Sequence, residues 1–160
     1  MTRMPFAPGA ARELLLADDE FVGMLAGGTV TTRELPDPLV GPCVTISAGV
    51  NRRQNPGQSQ VRLMISVWVP KPEILVDRTP PILTDPEELA WDIADAAGRV
   101  LARRQLMGRG ASFTYRGMTW RGIWDMGPTT LVDTARGKDN PLYRSIIEVV
   151  MKAGTAPAAP

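Results

Sequence analysis

Gln60-Val61-Arg62-Leu63-Met64-Ile65-Ser66-Val67-Trp68-Val69 is the stretch on which the reading of this chain turns. Val61, Leu63, Ile65, Val67 and Val69 recur at period two, which places all five on one face of a strand with a core to bury in. Arg62, Met64, Ser66 and Trp68 alternate with them on a half-polar face, suited to meeting a helix or another subunit. Residues 40–50 read as a second strand. The polar, turn-rich segment 51–59 then links the two into a long hairpin, with Arg52, Arg53 and Gln54 at its tip.

The remaining elements follow outward from this hairpin. Residues 1–9 form a Pro-rich lead-in, and 10–17 turn helical. Asp18-Asp19 bends the chain and caps a second short helix over 20–26, which Gly27-Gly28 stops. A short strand over 30–33 precedes Glu34-Leu35-Pro36-Asp37-Pro38, which proline keeps out of a central ladder. Residues 70–84 hold four prolines and read as a loop. Asp85-Pro86-Glu87-Glu88 is the best helix start in the chain: an N-cap, proline at the first helical position, and Glu88 three residues after the cap. Leu89, Ile93, Ala96, Ala97, Val100 and Leu101 form its apolar stripe, opposite Asp92, Asp95, Arg99 and Arg103, until Gly108 and Gly110 end it. Residues 111–126 read as a tight hairpin turning near Arg116-Gly117 and carrying Phe113, Tyr115, Trp120, Ile123 and Trp124. A second long loop over 127–141 holds Asp133, Arg136, Lys138 and Asp139. A strand over 142–152 closes the fold, and 153–160 trail off as an Ala/Pro tail. The sum is one α+β domain over 10–152. Its sheet is mixed and mostly antiparallel, with one long helix and the N-terminal helices packed on it, and with long hairpin and loop arms.

Composition narrows the chemistry. The chain has 160 residues, a net charge of +1, one cysteine and no histidine. Without histidine there is no Ser-His-Asp or Cys-His arrangement and no general base of the usual kind near neutral pH. Cys43 lies in an apolar strand-like run and reads as a buried structural thiol, which excludes an internal disulfide or a cysteine metal cluster. Asp18-Asp19-Glu20 point in different directions on a helix and read as capping, not as a metal site. Gly108-Arg109-Gly110 lacks the spacing of a phosphate loop. No apolar run reaches the length of a membrane span, and the N-terminus lacks the core of a signal peptide. The expectation is a protein made and kept in a reducing cytosol, with no catalytic centre, cofactor, metal or small-molecule substrate. Of its 18 basic residues 15 are arginine, which suits interfaces and accords with a GC-rich genome.

Several segments together resemble the tail terminator, or tail-completion, proteins of long-tailed bacteriophages. They are ARELLLADDEFVGMLAGGTV (11–30), ELPDPLVGPCVTIS (34–47), VRLMISVWV (61–69), DPEELAWDIADAAGRVLA (85–102) and GPTTLVDTARGKDNPLYRSIIEVVM (127–151). The likeness is one of element order and texture over most of 10–152, and the composition fits a phage of an actinobacterial-type host. It implies a minor tail protein at the head-proximal end of the tail of a siphophage virion, assembled in the host cytoplasm. There it would form a homo-oligomeric ring, usually a hexamer, that stops tube polymerisation and joins the head. Its implied partners are further copies of itself, the tail tube protein, a neck or head-completion protein, and DNA in the lumen. The family supplies no active-site residues. By position, Arg52, Arg53 and Gln54 and the loop from Asp133 to Asn140 match segments that face the tube, the neck or the lumen. Trp68, Trp120 and Trp124 are the candidate subunit contacts.

Three other readings stay open on the residues alone. One is a neck or head-completion adaptor. Another is a nucleic-acid-binding module that uses Arg52, Arg53 and the aromatic hairpin to stack single-stranded bases. The third is an enzyme relying on carboxylates and arginine, for which no pair of carboxylates can be brought together from the sequence.

Overall fold

The computed structural model describes residues 6–55, 58–102 and 113–155. Helices α1 (Ala7–Leu16) and α2 (Asp19–Met24) lead into strands β1 (Thr29–Thr31), β2 (Cys43–Asn55) and β3 (Gln58–Val69). Helices α3 (Pro72–Val76) and α4 (Pro86–Leu101) follow, then strands β4 (Phe113–Tyr115), β5 (Met118–Asp133) and β6 (Leu142–Thr155). The six strands form one sheet in the order β1-β2-β3-β6-β5-β4, parallel only where β1 meets β2. This is an α+β fold with a mixed, mostly antiparallel sheet.

The central pair sets the register. β3 and β6 pair without a break from Gln58 opposite Gly154 to Val69 opposite Tyr143. Val61, Leu63, Ile65, Val67 and Val69 therefore stand beside Met151, Val149, Ile147, Ser145 and Tyr143 on one face. All five β3 residues are at most 2% exposed, and burial of such side chains contributes roughly 1.5–3 kcal/mol each before entropy is counted. The face is covered by α4, which lies across β3, β6 and β5, and by α1, which lies over β1, β2 and β3. Among the described residues the other face carries no helix.

The helix cover is close because its sheet side is lined with small residues. Ala90, Ala94, Ala97 and Gly98 of α4 are buried together with Ile93, Val100 and Leu101, while Leu89 and Ala96 sit at the margin of the core. A Cβ on Gly98 would lie 2.7 Å from the Trp124 ring, and one on Gly122 would lie 2.2 Å from the Leu101 carbonyl oxygen. Both caps form as their sequences require. The Asp18 side chain accepts from the Phe21 amide, and that of Asp85 accepts from the amides of Glu87 and Glu88. Residues Arg116 (φ 49°) and Gly117 (φ 76°) make the two-residue β4–β5 turn.

Several boundaries differ from the sequence reading, and the differences share a cause. The polar segment 51–59 is ladder: β2 continues to Asn55 and β3 begins at Gln58, so Arg52 and Arg53 sit inside a strand instead of at a loop tip. A register shift between Ala48 and Asn51 carries β2 past its glycine. Segment 127–141 is not one long loop. β5 crosses the irregularity at Gly127-Pro128 and runs to Asp133, leaving 134–141 as the connection. β6 reaches Thr155, α1 starts at Ala7, and α3 occupies part of the stretch read as loop. In each case a neighbour distant in the chain overrides weak local propensity: a ladder partner for the strands, and the core that buries Ala10, Leu15 and Leu75 for α1 and α3. Helix α4 ends at Leu101, C-capped by Ala102. Gly108 and Gly110, expected to stop it, lie outside the described residues.

These contacts give a direct test of the helix–sheet approach. Replacing Gly122 with alanine is expected to cost about 1–3 kcal/mol, because the intruding methyl meets backbone and cannot be accommodated by a side-chain rotation. The check is the urea midpoint at unchanged m. Gly23→Ala, where a Cβ would meet nothing within 4 Å, should leave the midpoint unchanged or raise it.

Candidate functional site

With one sheet face under helices, the other is the natural place to look for an interaction site. Alternation puts Arg62, Met64, Ser66 and Trp68 of β3 there, with Arg144, Ile146, Glu148, Val150 and Lys152 of β6. From β5 come Arg121, Ile123, Met126, Thr129 and Leu131. Polar side chains lie flat on it in a linked series. The Trp68 indole donates to Thr45 Oγ1 at 2.9 Å, and the Arg144 guanidinium stacks over the Trp68 ring at 4.5 Å. Arg144 also donates to Ser66 Oγ through Nε (3.3 Å) and Nη2 (3.0 Å). Burial among these neighbours pulls the Arg144 guanidinium below its ordinary pKa, and the charge of Asp133 opposes that shift.

One strand-width away, Arg62 donates to Asp125 at 2.5 Å and lies 3.4 Å from Glu148. Its pKa is raised, first by the hydrogen bond to Asp125. The fold therefore brings two carboxylates onto one guanidinium, a juxtaposition that no spacing in the sequence announces. Both are held on the helix-free face, where Asp125 is exposed and Glu148 is half-buried. Exposed apolar side chains flank this charge cluster: Met64 (37%), Met126 (58%) and Leu131 (38%).

The three tryptophans proposed as contacts separate. Trp68 belongs to the helix-free face and is half-buried. Trp120 is fully buried in the core, with its indole donating to the Tyr115 carbonyl at 3.3 Å. It is not a surface residue of the chain, and it cannot stack a base. Trp124 points to the helix side and packs against Gly98. The error has one source: alternation shows that Trp120 and Trp124 share a face, whereas only the register with β6 shows which face it is.

The loop after β5 is not a free arm. The Asp133 carboxylate accepts from the Ala135 amide at 2.8 Å. Arg136 donates to the carbonyls of Pro36 (2.7 Å) and Leu35 (3.3 Å) and lies 3.7 Å from Asp37. Lys71 donates to the Asp139 carbonyl at 2.7 Å, while Lys138 is exposed. Arg136 thus clamps the Pro-rich segment, whose Leu35 and Leu39 pack with Cys43, Trp68 and Leu142 at one end of the helix-free face. A groove of about 370 Å³ between these loops is lined by Leu39, Lys71, Ile74, Arg136 and Asn140 among others. Arg78, unremarked in the sequence, has a similar task, donating to the carbonyls of Val40 (2.9 Å) and Ala26 (2.5 Å). Arginine-to-carbonyl clamps carry no spacing signal, because their partners are backbone. Arg52, Arg53 and Gln54 are placed by strand register, with Arg52 opposite Gln60 and Arg53 opposite Ser59.

Cys43 is 1% exposed and its thiol accepts from Thr29 Oγ1 at 3.4 Å. Burial raises its pKa, which keeps it protonated and a poor nucleophile. A thiol reagent should accordingly react with Cys43 at least tenfold more slowly in the native protein than in urea; equal rates would show that the strand is open. Arg136→Ala should cost about 1–2 kcal/mol and speed amide exchange over 34–40 while leaving β3 and β6 protected.

No protein-family model matches the chain, and no curated protein matches it.

Proposed function

We propose that the chain is a structural ring subunit of the tail-terminator type, acting through protein surfaces and not through a reaction. One observation carries the reading: among the described residues the sheet has two long edges without a strand partner, on opposite sides. On the outer side of β2, β1 pairs only with residues 43–45, and on the outer side of β5, β4 pairs only with residues 118–120. Among the described residues no strand pairs with β2 over 46–55 or with β5 over 121–133 on those sides. Each stretch has outward-facing backbone donors and acceptors with no ladder partner among the described residues, an edge that isolated proteins blunt or cover. Because the edges differ and lie on opposite sides, joining them is a heterologous contact that propagates and can close into a ring.

The exposed apolar residues support the same reading. Leu131 and Val132 (50%) lie on the free β5 edge, and Met126 lies beside its irregularity. The resemblance to tail terminators supplies the biological setting: a ring on the last tube layer, which ends tube growth and receives the neck. A neck adaptor would use the same edges, so partner binding discriminates between the two.

Light scattering and negative-stain microscopy on purified protein should show a closed ring. Leu131→Lys with Val132→Lys should abolish it while the thermal midpoint stays within about 2 °C, since exposed substitutions change stability by less than about 0.5 kcal/mol. Purified tail tubes should bind the ring and stop growing. A protein that stays monomeric at high concentration, and binds neither tubes nor neck components, would overturn the proposal.

A further inference from the structure

The net charge of +1 conceals a strong segregation along the sheet. No aspartate or glutamate occurs between Asp37 and Glu73, between Asp95 and Asp125, or after Glu148. The pairing register brings parts of all three acid-free stretches to one end of the sheet. These are the β2–β3 end, the β4–β5 turn and the C-terminal half of β6. One transverse row there reads Arg52, Gln60, Lys152, Arg121, each directly opposite the next on four successive strands.

That row spans about 14 Å at the usual strand spacing of roughly 4.8 Å. Lys152 and Arg121 are neighbours of like charge, an arrangement that disfavours the isolated sheet. Neither is paired with an acid among the described residues. The nearest acids on this face, Asp125 and Glu148, are both engaged by Arg62. At the adjoining turn Arg116 lies over the Tyr115 ring, which packs on the helix side near Gly9, so its guanidinium is not part of this face.

We infer that this end of the helix-free face binds the phosphate backbone of a nucleic-acid duplex. A protein partner would want apolar anchors at the centre of the contact, and the exposed large apolar residues of the face, Met64, Met126 and Leu131, all lie beyond Arg62 toward the other end. What accompanies the cations instead is Thr119, opposite Gly154 on the same face, a polar side chain suited to a phosphate oxygen. A single strand is disfavoured because Trp120, the aromatic nearest the row, is buried and Trp124 is turned to the helices. Binding is therefore sequence-independent, through phosphates alone. It does not depend on the ring reading, since the whole row lies within one chain.

The test is anisotropy of a labelled 30-bp DNA duplex with the full chain, its assembly state followed in parallel by light scattering. Contact of Lys152 and Arg121 with about two phosphates predicts a loss of affinity of roughly tenfold between 50 and 200 mM salt. Lys152→Glu and Arg121→Glu should each weaken binding at least fivefold at 50 mM salt. Lys152→Arg should retain it, and Arg33→Glu, an equal charge change beside β1, should stay within twofold. Melting curves of each variant check folding. No duplex binding at 50 mM salt overturns the inference, as does equal weakening by Arg33→Glu. Binding of poly-L-glutamate without binding of the duplex assigns the face to an acidic protein and overturns it as well. A ring that ignores DNA sinks this inference alone, and a monomer that binds DNA sinks the ring reading alone.

Discussion

The pairing of β3 with β6 is the constraint on which the rest of this protein depends. It is the longest unbroken ladder in the sheet, and its apolar positions coincide on one face, so a slip of one residue would expose two rows of valine, leucine and isoleucine together. Once that face is fixed, α4 has a surface to lie on, and Gly98 and Gly122 become necessary because helix and sheet approach until there is no room for a methyl group. The same register decides what lies behind. Arg62, Ser66, Trp68, Arg144 and Glu148 share the helix-free face only because their neighbours share the core.

That second face is divided along its length. Its middle and one end hold apolar residues, a stacked arginine and a Pro-rich segment clamped by Arg136. Its other end is cationic and acid-free. Among the described residues, the two sheet edges flanking it lack a strand partner for most of their length. On the readings proposed above, the chain would meet one neighbour through backbone pairing, present a mixed surface to a second, and keep its charged end for a polyanion. These tasks do not compete, since they use different atoms: edge amides, apolar side chains, and guanidinium or ammonium groups.

The arginines show how far composition can guide such a reading. Fifteen arginines at almost zero net charge pointed to interfaces, yet several of them work within the chain. Arg12 donates to the Val30 carbonyl, Arg78 and Arg136 tie loops to backbone, and Arg144 stacks on Trp68. A planar fork with five donors suits each of these uses. Arg121 and Lys152 emerge as adjacent cations with no acidic partner among the described residues, and their adjacency emerges from strand register.

The sequence by itself determined the local grammar of this protein. Period two identified β3 and β6, a cap, a proline and a glutamate located α4, and Arg116-Gly117 marked a turn, because each of these signals acts between residues near in the chain. Fold class followed from their order. Tertiary structure alone decided where strands end, since Arg52 to Asn55 and Thr129 to Asp133 are held by ladder partners that no local propensity announces. It also decided that Trp120 is core and Trp68 is surface. Alternation separates two faces of a strand but cannot say which one the helices will cover; that is settled by partners far away in the chain, where burial gains the most.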